Sequence, residues 1–162
     1  MRKFYLALAS GLLLSFSWPS IGYFPFIFFA FIPLLIAERE CVSGKQIFAY
    51  SFFSFFLFNL ITTYWIYHAT LFGAVAAFVI NASLMSIVFL LFHKVRRITS
   101  DKIGYMFFVF IWISMEYLHL NWQLSWPWLT IGNVFADFHL IVQWYEYTGF
   151  LGGSFWVLLL NV

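Results

Sequence analysis

Glu116 and His119 stand one helical turn apart near the end of an apolar run, and their types could move a proton or hold a polar group. A carboxylate inside hydrocarbon is costly and is expected to be paired. A histidine at i+3 is placed to be its partner. The alternative is that both side chains simply reach the headgroup region from the helix end. Beyond them, the stretch to Asn133 carries Trp122, Trp126, Pro127 and Trp128 among uncharged hydrogen-bonding residues. It reads either as an aromatic belt with a turn or as an interfacial segment lining a lipid-accessible cavity. Irregular backbone at membrane depth is tolerated only against protein or water.

A second polar and aromatic cluster comprises Asn59, Thr62, Thr63, Tyr64, Trp65, Tyr67 and His68. Asn59 and Thr63 are spaced to bond a neighbouring helix, while Tyr64 and Trp65 suit interfacial anchoring or ligand contact. Asn81, Ser83 and Ser86 read as packing residues within another apolar run. Cys41 has acidic neighbours and no nearby histidine, so it is expected to be structural rather than nucleophilic. His93, beside Lys94, Arg96 and Arg97, is expected in a basic loop touching anionic headgroups. No Ser/His/Asp set, metal-ligand spacing or phosphate loop occurs, so no catalytic, metal or cofactor residue is assigned. One cysteine also excludes an intrachain disulfide.

The elements that position these residues must be membrane helices. The chain is 64% hydrophobic and 9% charged, against about a quarter charged in soluble domains, and its mean hydropathy is +0.93. The expected fold is all-α, a polytopic transmembrane bundle of about six segments, each needing roughly 20 apolar residues. The apolar runs fall at 4–17, 24–37, 46–67, 72–92, 103–120 and 148–162, with an aromatic outer loop at 121–147. Alternating polarity, as a β-barrel requires, is missing. Pro25 suits the first turn of a helix, and Pro33 is expected to kink the second segment. The start, Met1-Arg2-Lys3 and an apolar run, imitates a signal peptide. Trp18-Pro19 replaces the small-residue cleavage pattern, so the run reads as a retained helix.

If all six runs cross, the eight Lys and Arg residues share one side. The positive-inside rule makes that side cytoplasmic, with the N-terminus inside and 121–147 outside. The net charge of +2 gives no nucleic-acid signature. The final run stops at Val162 without a basic flank, so the last helix is expected to be cut short and the chain to be part of something longer.

The ordered set Phe16-Ser17-Trp18-Pro19, Gly22-Tyr23-Phe24-Pro25, Tyr64-Trp65-Ile66-Tyr67, Phe72-Gly73, Glu116-Tyr117-Leu118, Trp126-Pro127-Trp128-Leu129-Thr130-Ile131-Gly132-Asn133 and the run Leu140 to Ser154 resembles the N-terminal membrane half of bacterial apolipoprotein N-acyltransferases. The resemblance implies a multi-pass inner-membrane protein whose partners are phospholipid and lipoprotein substrates. The family moves a phospholipid acyl chain to the α-amino group of a lipidated N-terminal cysteine. It does so through a Glu, Lys and Cys triad in a nitrilase-like domain, and no residue here matches that triad. With the resemblance, a lipid or substrate cavity is expected at Tyr64, Trp65, Tyr67, Glu116, Trp126, Pro127, Trp128, Asn133 and Gln143. A non-enzymatic lipid-binding protein, or the membrane subunit of a split acyltransferase, stays open as the alternative. A transporter is disfavoured because the two halves show no internal repeat.

Overall fold

The structure, a computed structural model, describes residues 1–19 and 21–162; Ser20, within the break at 18–22, lies outside the described residues. Six α-helices follow in order: α1 (Arg2–Ser17), α2 (Ile32–Glu40), α3 (Gly44–Thr63), α4 (Leu71–Ile98), α5 (Asp101–Asn121) and α6 (Tyr145–Asn161). Short 3₁₀ segments join several of them, and there is no strand among the described residues. The fold is a helical membrane bundle. Among the described residues, three stretches are long and apolar enough to cross a bilayer: Gly44–His68, Leu71–Ile98 and Asp101–Asn121. Each begins at a hydroxyl cap, since the Ser43, Thr70 and Ser100 side chains accept from the amides of Gln46, Gly73 and Ile103. Those caps satisfy helix-end donors that would otherwise face hydrocarbon or headgroups unpaired.

α1 is shorter, with 16 residues, or about 24 Å at 1.5 Å per residue. The run at 24–37 is not one helix. It forms a 3₁₀ turn, Phe24–Phe28, and then α2. Pro33 therefore kinks nothing: it lies in the first turn of α2, where its missing N–H needs no partner. The backbone at the break is satisfied from distant elements. Asn161 of α6 accepts from the Phe31 amide at 3.0 Å and donates to the Ile27 carbonyl at 2.9 Å. The Ser10 hydroxyl of α1 donates to the Ala30 carbonyl. A broken segment survives in an apolar surround only when its freed backbone groups find such partners.

Replacing Asn161 by leucine orphans the Phe31 donor, at about 1–3 kcal/mol, and removes one of the donors to the Ile27 carbonyl, which keeps the Ala30 amide at 3.4 Å. The expected result is a clearly lower thermal midpoint in detergent than for Leu160→Ala, which alters an exposed neighbour. Equal midpoints would remove Asn161 from this role.

The centre is aromatic. Phe31, Phe55, Phe89, Phe108 and Trp112 are fully buried. Phe31 meets Trp112 nearly edge-on at 5.0 Å, and Phe89 meets Phe108 similarly at 5.2 Å, the arrangement that the ring quadrupole favours. Between α3 and α4, the Asn81 amide donates to the Asn59 side-chain oxygen at 2.7 Å, an interhelical bond of the kind that helps membrane helices associate. Thr63 bonds back to Asn59 within its own helix.

At one end of the bundle, ion pairs tie the helices together. Arg2 meets Glu40, and Arg96 meets both Glu38 and Asp101. His93 does not lie in an open basic loop: it is buried in the last part of α4, against the Glu38 carboxylate. The reason is Glu38 itself, which α2 carries into the bundle with no exposure; a carboxylate there needs both neighbours.

Candidate functional site

The chemistry-bearing residues gather at the other end, where the start of α4, the end of α5 and the 122–144 segment meet. α5 places Glu116 inward, 4% exposed. Its Oε1 accepts from Trp112 Nε1 at 2.9 Å and from the Ile131 amide at 2.9 Å. The carboxylate thus ties its own helix to the outer segment fifteen residues on. No hydrogen bond joins it to His119 among the described residues; that ring packs edge-on against Trp122 at 5.2 Å.

α6 holds the same strip of backbone from its opposite side. Ser154 Oγ accepts from the Gly132 amide and Tyr145 donates its hydroxyl proton to the Gly132 carbonyl, each at 2.9 Å. Gly132 is required here, because a Cβ would overlap the Phe150 carbonyl oxygen. Gly149, with φ of +63°, breaks α6 after its first turn, a backbone conformation that glycine adopts without steric cost.

The 122–144 segment is neither a plain loop nor a simple belt. It forms 3₁₀ turns at Pro127–Leu129 and Ile131–Val142, and it buries Leu129, Ile131, Val134 and Phe135 in the core. Asn133 Nδ2 donates to the Pro127 carbonyl at 2.8 Å, closing the turn from within. Trp128 projects outward and meets Trp65 edge-on at 5.4 Å, so two of the expected residues join the second polar cluster to the first. Tyr64 and Tyr67 are exposed on the 3₁₀ turn after α3. Gln143 donates to the His139 carbonyl in its own turn at 2.9 Å.

Three adjoining hollows share walls at this end. A small one of about 10 Å³ is bounded by Asn81, Met85, Met115, Glu116, His119, Trp126, Leu129 and Thr130. A larger one, about 390 Å³, shares Asn81, His119 and Trp126 with it and extends along Gly73, Ala76, Ala77 and Ile80 of α4. A third, about 430 Å³, lies between α4 and α5 along Leu84, Ile111, Met115 and Leu118, again with His119 in its wall. The sequence reads Asn81 as a packing residue and His119 either as a partner of Glu116 or as a headgroup contact. Both line the hollows, and the signal available was their polarity inside or beside otherwise apolar runs.

Cys41 lies far from this region, buried between α2 and α3, with its carbonyl accepting from Arg97 at 3.0 Å. Burial pushes its thiol above the ordinary value, so it is a poor nucleophile near neutral pH.

The elements and the site define a class: a helical membrane bundle with hollows at the end where α4, α5 and the 122–144 segment meet. Residues 10–162 match the model of the apolipoprotein N-acyltransferase N-terminal domain, and the chain belongs to that family. It is 30% identical over 164 residues to an apolipoprotein N-acyltransferase of Chlorobaculum tepidum, covering 99% of this chain and 31% of that protein. An apolipoprotein N-acyltransferase of Geobacter metallireducens is 29% identical, with 99% of this chain and 32% of the relative covered. Apolipoprotein N-acyltransferase 2 of Treponema denticola is 27% identical, with 98% and 31% covered. The chain therefore spans about a third of the length of these relatives. No solved structure matches it.

Proposed function

We propose that this chain is the membrane half of a lipoprotein N-acyltransferase. In this reading it sits in the bacterial inner membrane as a multi-pass bundle, with its ion-paired end cytoplasmic by the positive-inside rule. It holds a phospholipid donor and a lipidated acceptor in turn at the periplasmic end. The chemistry belongs to a nitrilase-like domain carried further along a longer protein or on a second chain.

The observation that carries the reading is the group of hollows around His119, set between two membrane-length helices and bounded by residues of the 122–130 stretch. Apolar walls there suit acyl chains and keep water from a reactive ester. The family and the chain's coverage of about a third of its relatives support the division of labour.

Acyl transfer from phospholipid to a diacylated lipopeptide in membranes tests it. The 162-residue chain alone is expected to be inactive, and a nitrilase-like domain supplied in cis or in trans is expected to restore transfer. Clear transfer by this chain alone would overturn the assignment of roles. In the active protein, Trp128→Ala removes the ring that leans on Trp65. Its expected effect is about a tenfold loss of transfer, equivalent to about 1.4 kcal/mol, with membrane insertion unchanged.

A further inference from the structure

Two residues that line the small hollow, Glu116 and Trp126, each carry a buried polar atom that finds no partner in the fold. Glu116 spends Oε1 on two N–H donors, while its Oε2 is buried and unpartnered, with the Ser154 hydroxyl beside the carboxylate but outside hydrogen-bond geometry. Trp126 Nε1 is likewise buried without an acceptor. An orphaned donor and an orphaned acceptor in a dry surround each cost free energy. That both residues line one cavity, with buried His119 shared between it and two larger hollows, is the pattern of a site rather than of a packing fault.

The geometry points to a binding site for the free hydroxyl of a single-chain lipid: its oxygen lies between Glu116 and Trp126, and its hydrocarbon lies in the groove between α4 and α5. The pairing selects the chemistry. A hydroxyl donates to Glu116 Oε2 and accepts from Trp126 Nε1, satisfying both. An ester carbonyl only accepts and leaves the carboxylate oxygen bare. An ammonium only donates and leaves the indole bare. A phosphate would set negative charge against a carboxylate.

Size agrees with this choice. The small hollow, about 10 Å³, is of the order that admits one water-sized group. The 430 Å³ groove lies in the lower part of the range for ligand clefts and suits one acyl chain better than two. Leu118 in its wall is exposed, so a chain can enter sideways from the bilayer. The proposal goes beyond the acyl-transfer reading and depends only on the membrane placement, so the binding assay below and the transfer assay fail independently.

The test measures binding by the intact protein in nanodiscs, with native mass spectrometry as readout. The probes are palmitoyl monoacylglycerol and palmitoyl lysophosphatidylethanolamine, each with its O-methyl ether, which accepts but cannot donate. The wild type is expected to prefer hydroxyl over methyl ether by about tenfold or more, as for the loss of a hydrogen bond to a charged group. Glu116→Gln can present an amide N–H in place of Oε2 and is expected to lose that preference while still binding the ether. Trp126→Phe removes the donor alone and is expected to weaken every probe; it keeps the test decisive should Glu116→Gln insert poorly. Whichever of the two lipid types binds more tightly identifies the source of the hydroxyl, and a preference in either supports the site. Equal affinity for hydroxyl and ether in the wild type overturns it and leaves the hollow to a buried water.

Discussion

Arg96→Met is expected to destabilise the protein by about 3–5 kcal/mol, because it strips the counter-charge from a carboxylate sealed inside the bundle. Glu38 has no exposure. Arg96 Nη2 donates to its Oε1 at 3.0 Å and stands 2.8 Å from Oε2, in a contact that is electrostatic more than directional. The arginine side chain is only 12% exposed, so solvent screens the pair little. By contrast the Arg39–Asp101 contact, at 54% and 57% exposure, contributes little.

The Glu38 cluster joins α2 to α4, and Arg96 Nη1 reaches Asp101 at the start of α5 at 2.8 Å. Three elements therefore loosen together. Detergent unfolding curves for Arg96→Met, Glu38→Met and the double variant test the point. The double variant is expected to be more stable than Arg96→Met, since removing both charges leaves nothing unpaired. A single Arg96→Met variant as stable as wild type would show that Glu38 does not depend on it.

Neither this cluster nor the broken second segment could be read from the sequence, for the same reason. Hydropathy reports how apolar a run is, and it located the three membrane-length helices because their length and composition suffice. It says nothing about which distant polar atom closes a gap. Asn161 lies 130 residues from the Phe31 amide it holds, and Glu38 lies 55 residues from His93. Local context therefore placed His93 in a basic loop. Pro33 reads as a kink when the run is taken as one helix and as a helix start once the run is broken.

The candidate site was partly legible. Glu116 stands out as a carboxylate in an apolar run, and the density of tryptophan marks the outer segment. The partner of Glu116 could not be guessed, because it is a backbone amide, Ile131, that no side-chain pattern announces. Ile131 itself looks like any interfacial isoleucine until the 3₁₀ turns bury it.

That amide makes the second large effect measurable at one residue. Glu116→Leu fills a similar space but accepts nothing, so it strands the Ile131 N–H and the Trp112 indole N–H, at about 1–3 kcal/mol each. The loss falls first on the outer segment, which Glu116 pins from α5 while Ser154 and Tyr145 pin Gly132 from α6. Hydrogen exchange at Ile131 is expected to quicken by roughly tenfold to a hundredfold, the ratio for about 1.4–2.7 kcal/mol of local opening. Amides in α1, which does not touch this clamp, are expected to keep wild-type protection. Glu116→Gln retains an oxygen at the Oε1 position and is expected to keep Ile131 protected, separating the clamp from the charge. Unchanged exchange in Glu116→Leu would mean that α6 alone holds the segment. With the clamp released, Trp126 loses its fixed place beside the two hollows it lines, so the same substitution alters the shape of the space proposed to hold a lipid.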